Sequence, residues 1–100
     1  MSRYTLSAQA REDLREIKNY IAQDSIEAAR RVIAEFRRAF RQLARMPGMG
    51  HRRSDLTPRS VRFWPVRSYL IIYRTDGQAL DIIAVLHGKR DAKRLLRSRL

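Results

Sequence analysis

One hundred residues, 44% apolar and 32% charged, suit one compact domain over residues 1–100 and exclude both a second core and a disordered chain. The absence of cysteine excludes a disulfide scaffold, a cysteine-held zinc or iron–sulfur centre and thiol chemistry, and two histidines 36 positions apart give no basis for a histidine metal site. A net charge of +12, with arginine supplying 19 of the 22 basic residues, points to a polyanionic partner, whether nucleic acid, acidic protein or anionic membrane.

The charge is unevenly spread: residues 1–50 hold 10 basic and 6 acidic side chains, residues 51–100 hold 12 and 4. Seven charged residues among the first twenty leave no room for a signal-peptide core. The longest apolar runs, 69–73 and 82–86, are five residues each, too short to span a membrane, so a cytoplasmic setting is expected.

In chain order, Tyr4-Thr5-Leu6 is a short β-prone opening and Ser7 a candidate helix N-cap. Ala10, Leu14, Ile17 and Ile21 then fall on one stripe of a helix over 8–22, with Glu12 and Asp13 favouring its early turns. Asp24, followed three positions later by Glu27, predicts a second helix start. That helix, over 26–46, places Ala29, Val32, Ile33, Phe36, Phe40 and Leu43 on one face and Arg30, Arg31, Arg37, Arg38, Arg41 and Arg45 around the rest. Pro47, Gly48 and Gly50 stop it. A link of only residues 23–25 makes the two helices an antiparallel hairpin.

Residues 51–60 form a polar, basic connection without periodicity. The β-branched and aromatic runs 61–66, 69–75 and 79–87 follow, and Asp76-Gly77 predicts a two-residue hairpin turn between the last two. Pro65 has no amide donor, so the first run ends there or lies at a sheet edge. Ala92, Leu95, Leu96 and Leu100 suggest a short basic tail helix over 91–100. The order β-αα-βββ with a short C-terminal helix is an α+β fold, a helical hairpin packed on a small, mainly antiparallel sheet.

Chemistry-bearing residues are few. His87, followed by Gly88, Lys89, Arg90 and Asp91, could move a proton beside two phosphate-holding cations, or simply end the last strand. Arg62, Arg67 and Arg74 accompany Tyr69 and Tyr73, which share a strand face. That combination suits stacking on single-stranded RNA, or packing beneath the helices. The arginine rows of the second helix read as a solvated face, with room for an acidic partner. No Gly-rich phosphate loop, zinc motif, serine elbow or acidic dyad is present in the sequence.

Several stretches, taken in order, resemble the ParE branch of the ParE/RelE superfamily of type II toxin–antitoxin toxins. They are Leu6-Ser7 with Ala10, Asp13-Leu14, Ile17 and Tyr20-Ile21; Met46-Pro47-Gly48-Met49-Gly50 with the loop to Asp55-Leu56; and Arg62 to Val66, Tyr69 to Arg74 and Leu86-His87-Gly88-Lys89-Arg90-Asp91. Arg67 departs from the pattern, which more often has glycine there. The resemblance implies a small toxin that needs no cofactor or metal and is neutralised by a cognate acidic, ParD-like antitoxin. The antitoxin would fold on contact, with Leu14, Ile17, Ile21, Tyr69 and Tyr73 as candidate binding residues. A ParE-like toxin implies inhibition of DNA gyrase by binding, for which Arg62, Arg67, Arg74, Lys89 and Arg90 are the candidate contacts. A RelE-like toxin instead implies ribosome-dependent cleavage of mRNA, with Arg67 and Arg90 on the phosphate and His87 as proton carrier. The chain has no tyrosine after residue 73, so the RelE-type terminal tyrosine is missing. A relative that only binds nucleic acid or protein is the third possibility.

Overall fold

The computed structural model describes residues 3–75, 79–88 and 97–99. Strand β1 (Tyr4–Leu6) leads into helices α1 (Ala8–Ala22) and α2 (Ile26–Arg45), followed by a 3-10 turn at Pro47–Met49. Strands β2 (Arg62–Val66), β3 (Tyr69–Thr75) and β4 (Leu80–His87) complete the sheet, and residues 97–99 are helical. The spatial order is β1-β4-β3-β2. β2, β3 and β4 form an antiparallel meander, while β1 runs parallel to β4 in the register Tyr4↔Leu80 to Leu6↔Ile82. The fold is the expected α+β layering of a helical hairpin on a mainly antiparallel sheet.

The α1 stripe buries Ala10, Leu14 and Ile17, and α2 buries Val32, Phe36, Phe40 and Leu43, all against Val66, Ile71, Tyr73, Leu80, Ile82 and Val85 of the sheet. The opposite sheet face carries a second buried cluster of Val61, Phe63, Leu70, Ile72, Ile83, Ala84 and Leu86. Leu56 packs against this cluster, so the connection that lacks periodicity in the sequence contributes an apolar contact to the far face.

Ser7 joins the first helix to the sheet. Its Oγ accepts the Ala10 amide at 3.0 Å and donates to the Ile83 carbonyl at 3.0 Å, while its own amide donates to the Ile82 carbonyl at 3.1 Å. The contact falls where the β3–β4 register shifts: Ile72 faces Ala84 and Tyr73 faces Ile82, leaving Ile83 as the extra residue of a bulge. The bulge exchanges faces along β4, so Leu80, Ile82 and Val85 point to the helices while Ile83, Ala84 and Leu86 join the far cluster. Ser7→Ala removes a helix cap and a bulge anchor together. It is expected to lower stability by about 1–2 kcal/mol in urea unfolding, at the upper end for a cap.

One local expectation is corrected. The α2 cap is Ser25, whose Oγ accepts the Ala28 amide at 3.1 Å, and Asp24 lies one residue too early. Glu27 is then out of register for a capping box and contributes only its charge to the first turn. Of the two expectations for Pro65 the edge position holds: it sits within β2, an edge strand of the sheet, where its missing amide is tolerated. Thr75 and Leu80 are the last register partners of β3 and β4. The Asp76-Gly77 turn expected between them lies outside the described residues.

Candidate target and partner surfaces

A row of rings crosses the helix-facing side of the sheet. Tyr4 meets Phe40 at 5.3 Å between centroids, Phe40 meets Phe36 at 6.4 Å, Phe36 meets Tyr69 edge-on at 5.6 Å, and Tyr69 meets His87 edge-on at 5.0 Å. Tyr69 and His87 are register partners across β3 and β4, so the sheet itself brings this pair together. His87 is exposed and closes the row at the surface.

Tyr73 stands elsewhere and has a different role. It is 0% exposed. Its hydroxyl accepts the Gly50 amide at 2.8 Å and donates to the Pro47 carbonyl at 2.7 Å. Burial pushes its phenol above the ordinary tyrosine range, partly offset by the Gly50 hydrogen bond. Tyr73 has no surface to offer a partner, which corrects its place among the antitoxin candidates: it is the post for the turn that follows α2. Leu14 and Ile17 are each only 8% exposed, so their side chains serve mainly the core. Ile21 and Tyr69 are half-buried at its rim.

The described basic candidates, Arg62, Arg67 and Arg74, do not form one patch. Arg62 is half-buried and donates through Nη1 to the Gly50 carbonyl at 2.8 Å, reinforcing the Tyr73 turn. Arg74 is exposed near the other end of β3 from Tyr69, in register with Asp81. Arg67 sits in the β2–β3 turn, bracketed by the Val66↔Tyr69 pair, and its Nε donates to Glu35 of α2 at 2.9 Å. Lys89 and Arg90 lie outside the described residues.

Arg67 has φ of 57°, and it is the one non-glycine with positive φ among the described residues. Positive φ at the first loop residue alone is the signature of a type II′ hairpin turn, whose first position favours glycine. The turn therefore forms despite the unusual residue. Left-handed backbone costs about 1–2 kcal/mol in a non-glycine residue, against roughly 0–1 kcal/mol for an exposed ion pair. Arg67→Gly is expected to leave the melting temperature unchanged or raised, whereas the β-branched Arg67→Val lowers it.

Two further features escape a reading of local patterns. Asp13, buried on α1, accepts the Val85 amide at 3.0 Å and takes a two-pronged contact from Arg99, Nη1 to Oδ2 at 2.7 Å and Nη2 to Oδ1 at 2.9 Å. β1 ends at Leu6, so β4 beyond Ile82 has lost its parallel neighbour, and Asp13 satisfies the amide that this exposes. The contact also ties residues 97–99 to the body of the fold and raises the Arg99 pKa. The second feature is a cleft beside α1, floored by Leu6, Leu14 and Ile33 and rimmed by Arg11, Lys18 and Arg37. Its signal in the sequence is the basic residues flanking the apolar stripe.

Among the described residues no group of three or more His, Asp or Glu is placed to hold a metal, and no helix is long and apolar enough to cross a membrane.

A solved structure titled "Chromosomal ParDE TA system from P. aeruginosa" shares the fold: the TM-score is 0.74 over 88% of this chain and 97% of that one, at 19% identity. Among curated proteins none matches the chain. The family rests on the sequence itself, because the model of the ParE toxin of type II toxin–antitoxin (parDE) systems matches residues 4–92. The chain belongs to the ParE toxin family.

Proposed function

We propose that this ParE-family toxin arrests DNA gyrase by binding it, and that a ParD-like acidic antitoxin neutralises it. The observation that supports binding over RNA cleavage is the match of residues 4–92 to the ParE toxin model, in a chain that lacks the RelE-type tyrosine after residue 73. The exposed His87 is what still speaks for the endoribonuclease. Replacing it by alanine would lower RNA cleavage by roughly 10²–10⁴-fold if it carried the proton.

The cleft of Leu6, Leu14 and Ile33 with its cationic rim suits the antitoxin. An amphipathic acidic segment would lay apolar side chains on the floor and carboxylates on Arg11, Lys18 and Arg37. Arg15 at the same rim already pairs with Glu12 at 2.7 Å, so it offers less to a newcomer. Reversing Arg11, Lys18 and Arg37 together to glutamate is expected to weaken antitoxin binding roughly tenfold or more, mostly through slower association, while the free toxin stays folded.

The direct test is purified gyrase with plasmid DNA. The proposal expects the chain to block supercoiling or accumulate cleaved plasmid, with added antitoxin restoring activity. Undisturbed supercoiling at excess toxin, together with cut mRNA on ribosomes, would replace it with the nuclease reading.

A further inference from the structure

The aromatic row ends in a pocket of about 340 Å³ lined by Glu16, Ile17, Tyr20, Tyr69 and His87. Tyr69 and His87 stand at 67° to one another and make two walls of a corner. Tyr20 lines the same pocket and is 71% exposed, so its ring is open to a ligand from solvent. Ile17 adds an apolar surface, and Glu16 supplies the pocket's carboxylate.

The charges around Glu16 decide what such a pocket accepts. Glu12 is held by Arg15 at 2.7 Å and Asp13 by Arg99 at 2.7 Å. Glu16 lies close enough to both arginines to be felt electrostatically, but it makes no hydrogen bond or ion pair among the described residues. The two neighbouring guanidinium groups already face other carboxylates, so Glu16 brings negative charge to a mouth otherwise built of rings. Rings attract a cation through their faces, and a carboxylate at the rim strengthens and orients that attraction.

We propose that this pocket is an aromatic cage that receives the side-chain cation of an arginine or lysine presented by a partner polypeptide. It is distinct from the basic-rimmed cleft on α1, which suits carboxylates: Leu6, Leu14 and Ile33 floor the one, Tyr20, Tyr69 and His87 line the other. A partner engaging both must carry acidic residues along most of its length and a cation at one place. The net charge of +12 repels cations at long range. At physiological salt that repulsion is screened beyond about 8 Å, leaving the local Glu16 field to act.

The test is a titration of the full chain with blocked arginine (N-acetyl-arginine amide) at physiological salt, followed through the ring resonances of Tyr20, Tyr69 and His87. Blocked citrulline, the same shape without the charge, is the control. The cage predicts shifts confined to those three rings, arginine binding about fivefold tighter than citrulline, and loss of that preference in Glu16→Gln. Tyr20→Leu keeps apolar bulk at an exposed site and should weaken arginine severalfold with the fold intact. In the purified toxin–partner complex, Glu16→Gln should likewise weaken association severalfold, showing that the cation comes from a polypeptide. Equal binding of arginine and citrulline, no shift at the three rings, or an unchanged partner affinity in Glu16→Gln would each overturn the proposal. None of these readouts depends on whether gyrase is the target.

Discussion

Replacing Asp13 by alanine is expected to remove about 3 kcal/mol of stability. Truncating one member of a buried ion pair costs roughly 3–5 kcal/mol because the other charge stays behind uncompensated. Here the side chains of Asp13 and Arg99 are 9% and 14% exposed, so Arg99 has some access to water and the lower figure applies. Part of the loss is not ionic: Val85 is 2% exposed, and its amide would lose its carboxylate acceptor. Asp13→Asn separates these contributions, since an amide oxygen can still accept from Val85 while the attraction for Arg99 is gone. It should cost about half as much as alanine. The double variant Asp13→Ala/Arg99→Met should recover part of the alanine loss, because the stranded guanidinium is removed with its partner. Urea unfolding of the four proteins checks the set. An alanine variant within 0.5 kcal/mol of the parent, the usual scatter of a surface change, would show that the contact does not hold the fold.

The second large effect is expected at Gly50. Its φ of −72° is ordinary, so the requirement for glycine comes from space. A Cβ there would approach the Tyr73 ring to 2.7 Å at Cε1 and would crowd the hydroxyl as well. Tyr73 is wholly buried and hydrogen-bonded at both sides of its oxygen, so it cannot swing away. Gly50→Ala is expected to cost about 1–3 kcal/mol as overpacking, and to disturb the Arg62 contact to the Gly50 carbonyl. Tyr73→Phe tests the same turn without a clash. It leaves the Gly50 amide and the Pro47 carbonyl without their shared partner, at about 1–3 kcal/mol.

Tyr73 also carries a signed pH dependence. Its folded pKa lies above the unfolded value of about 10, so the stability it contributes is complete below that value and is lost as pH rises through the folded pKa. Melts taken at increasingly alkaline pH should show a loss in the parent that is smaller in Tyr73→Phe. Equal alkaline loss in both proteins would place its origin elsewhere.

Much of this fold is legible because its signals are local. The spacing of Leu14 and Ile17, the apolar face from Val32 to Leu43, the Ser7 cap and the stop at Pro47 all act within a few turns of one helix. The β3 boundaries follow from the run Tyr69–Thr75 itself. Contacts between distant parts of the chain are harder to read. The parallel pairing of β1 with β4 joins residues some 76 positions apart, and no local pattern distinguishes it from antiparallel pairing. Asp13 looks like a helix-start carboxylate, and only the end of β1 creates the bare amide it serves. Tyr69 and Tyr73 share a face as their spacing requires, but their fates separate because the Pro47–Gly50 turn folds over one of them alone. Arg67 is the converse case: a glycine position is legible from the family pattern, yet the residue that fills it adopts the glycine-like φ anyway. The surfaces were least legible, since the cleft and the cage are assembled from α1 together with β1, α2 or the sheet.

The central claim, that this ParE-family chain acts by binding gyrase, is tested most directly by pulse-labelling DNA and protein synthesis in the minutes after the toxin is induced without its antitoxin. The account predicts that DNA synthesis falls first while translation continues, and that Arg67 and Arg74 reversed to glutamate blunt the fall in a folded protein. Translation falling first, with DNA synthesis following later, would contradict it.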